Sequence, residues 1–242
     1  MTEDRRQGIL MAMEDEFKLQ VIARIRSDFT SKFGIPRQSN LVPEQEALVV
    51  FEPAYRDENA LRGLEGYSHL WLIWGFSEVK QEGWSPMVKP PKLGGNTRMG
   101  VFATRSPYRP NPMGLSSVRL LRLEKRPNLG TVLVVGGADL MDGSPIYDIK
   151  PYLSFTDSHP DAQNGFAQDH AAERLPVEFP PELLERIPEE KRSALLLSLA
   201  LDPRPGYLTG RSDPYGFPYA GKDVRFRVED GAVKVFDVVE DS

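Results

Sequence analysis

The strongest constraint on the fold of this chain is a series of short segments rich in β-branched, aromatic and leucine residues, each bounded by Pro, Gly or Asn, with almost no helical spacing between them. His69 to Val79, Met99 to Thr104, Leu115 to Leu123 and Thr131 to Gly136 all have this form, which is that of strands. Two more precede them. From Phe17 to Ile25 the apolar residues Phe17, Leu19, Val21, Ala23 and Ile25 alternate with mostly polar ones, and Ala47 to Phe51 is a second apolar run. Between these and His69, Asp57 is placed as the N-cap of a short helix carrying Ala60, Leu61 and Leu64 on one face, with Gly66 as its stop. Strands so numerous predict a mainly β fold, an antiparallel sheet or closed barrel.

The pattern changes after about Phe155. Residues 157 to 182 are polar, acidic and Pro-containing, and read as a linker or a long excursion. Pro180 to Leu201 reads as two helices divided by Pro188. Val224 to Glu229 and Ala232 to Val239 flank Asp230-Gly231, a strong hairpin signal. The expected organisation is an N-terminal extension over 1–16, a β-rich body over 17–156 and a small α+β tail over 157–242.

Composition narrows the chemistry. The chain of 242 residues has no cysteine and three histidines, His69, His159 and His170. Disulfides, thiolate-held zinc, iron–sulfur clusters and thiol nucleophiles are thereby excluded, and a three-His metal centre would consume every histidine; no metal is expected. No apolar run approaches the ~20 residues that span a bilayer, and the N-terminus lacks an export signal, so the expected compartment is the cytoplasm. The net charge is −5, but it is unevenly spread. Between Val88 and Arg126 stand Lys89, Lys92, Arg98, Arg105, Arg109, Arg119, Arg122, Lys125 and Arg126 against the single acid Glu124, a local +8 able to hold a phosphate backbone if the side chains share a face.

Unusual residues concentrate in two places. Gly94 to Gly114, GGNTRMGVFATRSPYRPNPMG, sets Arg105 and Arg109 among Pro107, Pro110 and Pro112. The prolines fix φ and remove donors, so the loop's remaining polar groups have set directions, as suits a ligand. As composition alone it reads equally as an ordinary crossover between strands. Asp139 to Tyr152, DLMDGSPIYDIKPY, contains Asp142-Gly143-Ser144-Pro145, which is first of all a turn sequence.

With Pro36-Arg37-Gln38 and Gly66-Tyr67-Ser68-His69-Leu70-Trp71, these segments resemble the TsaA-like family, also called TrmO or YaeB-like, of S-adenosylmethionine-dependent tRNA methyltransferases. The resemblance runs from about Phe17 to Tyr152 and resumes at Asp202-Pro203-Arg204-Pro205-Gly206-Tyr207 and the final hairpin. It implies a single-sheeted antiparallel β-barrel that binds S-adenosylmethionine outside any Rossmann fold, and methylation of N6 of N6-threonylcarbamoyladenosine at tRNA position 37, beside the anticodon. It also implies a homodimer with the site near the interface. The residues are compatible: no G-x-G-x-x-G follows a strand to open a helix, and without cysteines the radical route to methyl transfer is closed, leaving polar SN2 transfer.

By the same resemblance the cofactor is held by Pro36, Arg37 and Gln38, by Ser77 and Glu78, and by Arg105, Leu115 and the turn Asp142, Gly143, Ser144 and Pro145. Arg105 suits the cofactor carboxylate, which a guanidinium matches bidentately. Where the family often carries His or Gln this chain has Ser77 and Glu78, which points to main-chain contacts there. The acceptor nitrogen bears a proton that must leave, so a base is expected. Asp202 leads, with Arg204 gripping a phosphate or the threonyl carboxylate; Tyr147 and Asp148 follow, and Asp202 reads equally as a helix end before Pro203. Tyr108, Arg109, Asn111, Lys150 and Tyr207 are the expected substrate contacts, Tyr108 and Tyr207 by stacking on a base. Trp71, Trp74 and Phe76 are expected to fill the barrel, and His69 to be structural. Two other readings use the same features: a non-catalytic β-barrel module that binds nucleotide or RNA, and a methyltransferase with another acceptor.

Overall fold

The computed structural model describes residues 17–78, 84–90, 93, 97–170, 174–204 and 213–241; the extension expected over 1–16, Val79, Lys92 and Tyr207 lie outside them. In chain order the elements are β1 (Ala23–Arg26), β2 (Glu46–Phe51), β3 (His69–Gly75), β4 (Met87–Val88), β5 (Met99–Gly100), β6 (Met113–Arg126), β7 (Gly130–Gly136), β8 (Pro145–Pro151), α1 (Ser154–Asp157), β9 (Val177–Glu178), α2 (Pro181–Leu184), α3 (Glu189–Ala200), β10 (Tyr215–Tyr219), β11 (Lys222–Glu229) and β12 (Ala232–Glu240). The mainly β expectation is met.

Six strands pair antiparallel in the order β1-β2-β7-β6-β3-β8, and β8 returns to β1 through Ala23 opposite Ile146 and Arg24 opposite Pro145. Alternation decides the inside of this ring. Ala23 and Ile25, Val49, Leu70 and Leu72, Val118, Leu133 and Val135, and Ile146 are fully buried or nearly so and form one cluster. Each such aliphatic side chain contributes about 1.5–3 kcal/mol on burial.

The second cluster belongs to the tail. β10, β11 and β12 form an antiparallel meander with β9 added parallel to β12, and Leu183, Ile187, Leu195 and Leu199 pack against Phe217, Val224, Phe226 and Val235. The hairpin falls where the sequence places it: Asp230 and Gly231 have φ of 52° and 75°, as a two-residue turn between twisted strands requires. Phe29, from the stretch after β1, is fully buried in this tail cluster, so the N-terminal body supplies part of the tail's core. Beside it, Asp28 accepts from Lys191 Nζ at 2.6 Å and from Gln45 Nε2 at 2.9 Å, and the Tyr219 hydroxyl lies 3.0 Å from Gln45 Oε1 and 3.1 Å from the Lys191 carbonyl. Burial first, then the Asp28 carboxylate, push the Tyr219 phenol well above its ordinary range.

Several expectations need correction. The first strand is Ala23–Arg26 and not Phe17 to Ile25: Phe17 and Leu19 are exposed, because β2 offers partners only from Ala23 onward. Met99 to Thr104 gives a two-residue strand and then a 3-10 turn over Val101–Ala103. Asp57 does cap, accepting from the Asn59 amide, but what it starts is 3-10 and breaks before Gly63, whose φ is 86°. β8 and β10 come from segments the sequence marks as turn and tail. Trp71 does not fill the ring. It alternates outward from buried Leu70 and Leu72, and its indole donates to Asp157 Oδ2 at 2.8 Å.

Candidate functional site

One end of the ring gathers the segments of interest. There Gly75 of β3 faces Met113 of β6, and Trp74 faces Gly114 and Ile146. The end of β3 and the starts of β6 and β8 therefore open together, and the loops before β6 and β8 fold over that end.

The loop before β6 is held by its own side chains. Thr104 Oγ1 donates to the Val101 carbonyl at 2.8 Å and accepts from the Ser106 amide at 3.2 Å; Ser106 Oγ accepts from the Tyr108 amide at 3.2 Å. Such short hydroxyl turns fix a chain in which prolines remove amide donors. Arg109 is spent on this shape, its Nη2 reaching the Thr104 and Val101 carbonyls at 3.3 and 3.5 Å. Arg105 instead leaves the loop and donates to Gln38 Oε1. Gln38 Nε2 donates to the Arg37 carbonyl at 2.6 Å, and Arg37 Nη2 to the Arg204 carbonyl at 2.9 Å. Pro36, Arg37, Gln38, Arg105 and the Asp202–Arg204 segment thus lie together within one chain.

The Asp142–Pro145 turn is positioned by β1. Gly143, at φ 77°, donates its amide to the Ile25 carbonyl at 2.9 Å, and the Asp142 amide reaches Phe29 O at 2.8 Å. The Asp142 carboxylate accepts from the Ser27 amide at 3.0 Å and lies 3.6 Å from Arg26. It is occupied in holding the turn, and so is most of the turn's backbone: the Ser144 amide donates to the Met141 carbonyl at 3.1 Å, and the Gly143 and Ser144 carbonyls accept from Arg24 Nη1 at 3.1 Å and the Ile25 amide at 3.2 Å. Ser144 is buried.

Asp139, three residues before that turn, was not singled out by sequence. Trp74 Nε1 donates to Ser116 Oγ at 2.9 Å, and Ser116 Oγ lies 2.6 Å from Asp139 Oδ1. An indole nitrogen can only donate, so the serine hydroxyl donates onward to the carboxylate. Gly114 makes room for this relay: a Cβ there would lie 2.2 Å from the Trp74 ring. Burial raises the Asp139 carboxyl above the usual range; donors from Ser116 and its own amide, the nearby Arg105 charge and the Ser39 amide offset only part of that rise. The available signal was only its position beside a turn the sequence already marks.

The other expected residues are divided between the outer wall and the ring end. Leu115, next to Ser116, points to the outer face and is 59% exposed. It shares a row with Ile73 and Asp148, apart from the Asp139 side. Lys150 pairs with Asp148 at 2.9 Å on the outer wall opposite Trp71, about 13 Å along β8 from Ile146 at the strand rise; the structure does not bring it to the loops. The Tyr147 hydroxyl packs over Gly75, where a Cβ would approach it to 2.4 Å. Ser77 and Glu78 follow β3 and are exposed, as are Tyr108 and Asn111.

Asp202 and Arg204, expected to act separately, are bound to each other. Arg204 Nε meets Asp202 Oδ1 and Arg204 Nη2 meets Oδ2, both at 2.8 Å. Asp202 sits at φ 50° just past α3, the helix-end geometry that was its other reading. The hydrogen bond to Asp202 raises the already basic Arg204.

The +8 stretch is also less uniform than its count. Arg122 pairs with Glu46 and Glu124, Arg126 with Glu124 and Lys125 with Glu58. Lys89, Arg98, Arg105, Arg109 and Arg119 have no carboxylate within 4.0 Å among the described residues, so the unpaired positive charge lies mostly toward the loops before β6. Among the described residues no group of three His, Asp or Glu is gathered to hold a metal ion.

Uncompensated guanidinium groups, fixed loop backbone and a partly buried carboxylate gather at one end of a strand ring, a candidate site for a small ligand carrying both charges, beside a surface of the sign that phosphates need. Residues 24–158 match the family model of the tRNA-methyltransferase O N-terminal domain, and residues 172–241 that of the TrmO C-terminal domain. The chain is 42% identical over 230 residues to the tRNA (adenine(37)-N6)-methyltransferase of Escherichia coli (strain K12), covering 91% of this chain and 97% of that one. It is 45% identical over 168 residues to the enzyme of the same name from Eikenella corrodens, covering 68% and 93%. The crystal structure of TrmO from Pseudomonas aeruginosa superposes with a TM-score of 0.74 at 33% identity over 93% of this chain and 98% of that one. The chain belongs to the tRNA-methyltransferase O family.

Proposed function

We propose that this protein is an S-adenosylmethionine-dependent methyltransferase that methylates N6 of N6-threonylcarbamoyladenosine at position 37 of tRNA. The observation that carries the reading is the Arg105–Gln38–Arg37–Arg204 chain of contacts, which joins three motifs far apart in sequence at the end of the ring. The strand ring serves as the single-sheeted barrel of the family.

The residues present fit the cofactor. Arg105 is exposed and has no carboxylate within 4.0 Å among the described residues, so it can take the aminoacyl carboxylate. Carbonyl oxygens of the Asp142–Pro145 turn, which keep a second lone pair, and main chain of Pro36–Gln38 are the partners of ribose and adenine in this reading, and Ser77 and Glu78 flank the same opening. Leu115 faces outward, so it reaches a cofactor from the outer wall; in a homodimer it serves the partner's site. When bound, S-adenosylmethionine supplies an electrophilic methyl group on a positive sulfur. The chain's part is to align it with the acceptor nitrogen, which is chiefly positioning, and to receive the N6 proton.

Asp202 is the base of this reading, and its pairing explains how it stays quiet without substrate. A threonyl carboxylate arriving at Arg204 competes for the guanidinium and frees the Asp202 carboxylate to take the N6 proton as the N–CH3 bond forms. Tyr108 and Arg109 line the approach to the site, Asn111 and Tyr147 its rim, and Lys150 contacts a more distant part of the tRNA. The proposed compartment is the cytoplasm, where tRNA is modified.

Two experiments test the reading. Nucleoside mass spectrometry of tRNA from a deletion strain should show loss of N6-methyl-N6-threonylcarbamoyladenosine; unchanged levels overturn it. Asp202→Asn should reduce turnover about 100-fold, within the usual range for a lost acid–base group, at unchanged cofactor affinity, and wild-type turnover ends its role as base.

A further inference from the structure

Two carboxylates near the ring end are already satisfied by cations or by turn amides: Asp142 by the Ser27 amide and Arg26, and Asp202 by Arg204. Asp139 differs. Its direct partners are neutral donors, the Ser116 hydroxyl and main-chain amides, and the nearest guanidinium, that of Arg105, is directed to Gln38. A neutral donor stabilises a carboxylate and fixes its direction but leaves its charge uncancelled.

Asp139 is also central. Ser39, whose amide reaches it, follows Gln38; Ser116, its clamp, follows Leu115; Trp74, which orients Ser116, lies three residues before Ser77; and Asp142 comes three residues after Asp139 itself. Four of the segments assigned to the cofactor therefore lie within three residues of the relay in sequence, although the Leu115 side chain itself faces the outer wall, and the remaining one, Arg105, contributes the nearby charge. Asp139 as a residue is neither fully buried nor exposed, and a charge against it would be only weakly screened by water.

We propose that Asp139 is the specificity-determining counter-charge of the cofactor pocket: its carboxylate favours a ligand bearing a positive centre where the sulfonium lies. The pocket then holds S-adenosylmethionine more tightly than S-adenosylhomocysteine, the neutral thioether that methyl transfer leaves behind, and the loss of charge in the reaction itself promotes product release. This rests on the methyltransferase reading. The Trp74–Ser116 clamp keeps the carboxylate fixed, so the preference needs no rearrangement on binding.

The test is a calorimetric comparison of S-adenosylmethionine, S-adenosylhomocysteine and sinefungin, whose protonated amine stands in place of the sulfonium. Full-length wild-type protein should bind both cations about tenfold more tightly than the thioether. Asp139→Asn should bring the three affinities to near parity, chiefly by weakening the two cations. Equal weakening of all three in Asp139→Asn would mark the residue as merely structural and overturn the proposal, as would wild-type protein that binds the thioether as tightly as the cations. Should Asp139→Asn fail to fold, as checked by thermal unfolding, the wild-type series decides alone. If no ligand binds wild-type protein at millimolar concentration, the methyltransferase reading itself fails, an outcome distinct from parity.

Discussion

Asp28 and Asp139 are both partly buried, and each accepts a bond of 2.6 Å, yet their surroundings differ in kind. Asp28, where the ring meets the tail sheet, receives the Lys191 ammonium and the Gln45 amide, and Tyr219 completes the set through Gln45. Asp139, at the ring end, receives a hydroxyl and amides. The first acid is paired with a cation and so ties two structural units together at almost no outward field. The second is held by neutral groups, and burial raises its carboxyl above the usual range, so its ionised form is the one that gains most from a cationic ligand. Acids of similar burial can thus be told apart by what cancels them.

The largest effect that tests this contrast is on stability. Lys191→Met removes the cation while keeping the aliphatic volume, and leaves the Asp28 carboxylate facing only Gln45. Breaking a partly buried pair in this way should cost about 3 kcal/mol, read as a lower urea midpoint. Cofactor affinity should stay at the wild-type value. A variant as stable as wild type would show that the seam is held by Phe29 and its apolar neighbours alone.

The next effect lies on the other side of the contrast. Arg105→Ala removes the one cation that acts on Asp139, and in the proposed function it removes the partner of the cofactor carboxylate. S-adenosylmethionine binding should weaken at least tenfold, about 1.4 kcal/mol. Unfolding should shift by no more than about 0.5 kcal/mol, since the side chain is exposed. Unchanged affinity in calorimetry would assign Arg105 to the shape of the Gln38 loop and not to the ligand.

What the sequence made legible follows the same physical division. Local signals were readable: the hairpin at Asp230-Gly231, the cap at Asp57, the break at Pro188, and strands whose alternation or apolar run is self-evident. Whatever needed a partner was not. Phe17 to Val21 alternate like a strand but have no neighbour to pair with, and Pro145–Pro151 forms a strand because β1 and β3 lie on either side of it. Motif likeness marked Arg105, Gln38 and the 142–145 turn, and the structure brings these to one end. It could not show that Arg204 occupies Asp202, that Lys150 sits far along the outer wall, or that Asp139 is clamped by Ser116, because each depends on which way a side chain points after distant segments meet.

The outer wall offers the smallest effect and a third kind of acid. Asp157, half-buried at the end of α1, accepts from the Leu153 amide at 3.0 Å and from the Trp71 indole at 2.8 Å. These bonds, first the amide and then the indole, with a contribution from His159, hold its carboxyl below the ordinary aspartate range. A group whose folded pKa is depressed stabilises the fold above its unfolded value and loses that contribution as pH falls through the folded value. The contact should therefore persist from neutrality down through the normal titration range of aspartate near ~4 and release only below it. Near-ultraviolet circular dichroism of the Trp71 environment should stay flat through that range and change beneath it, and Asp157→Asn should remove the acid step while leaving the rest of the spectrum in place. A step centred at the ordinary aspartate value would mean that the indole bond gives the carboxylate no preference over its protonated form, and would place Asp157 with the solvated acids of the surface.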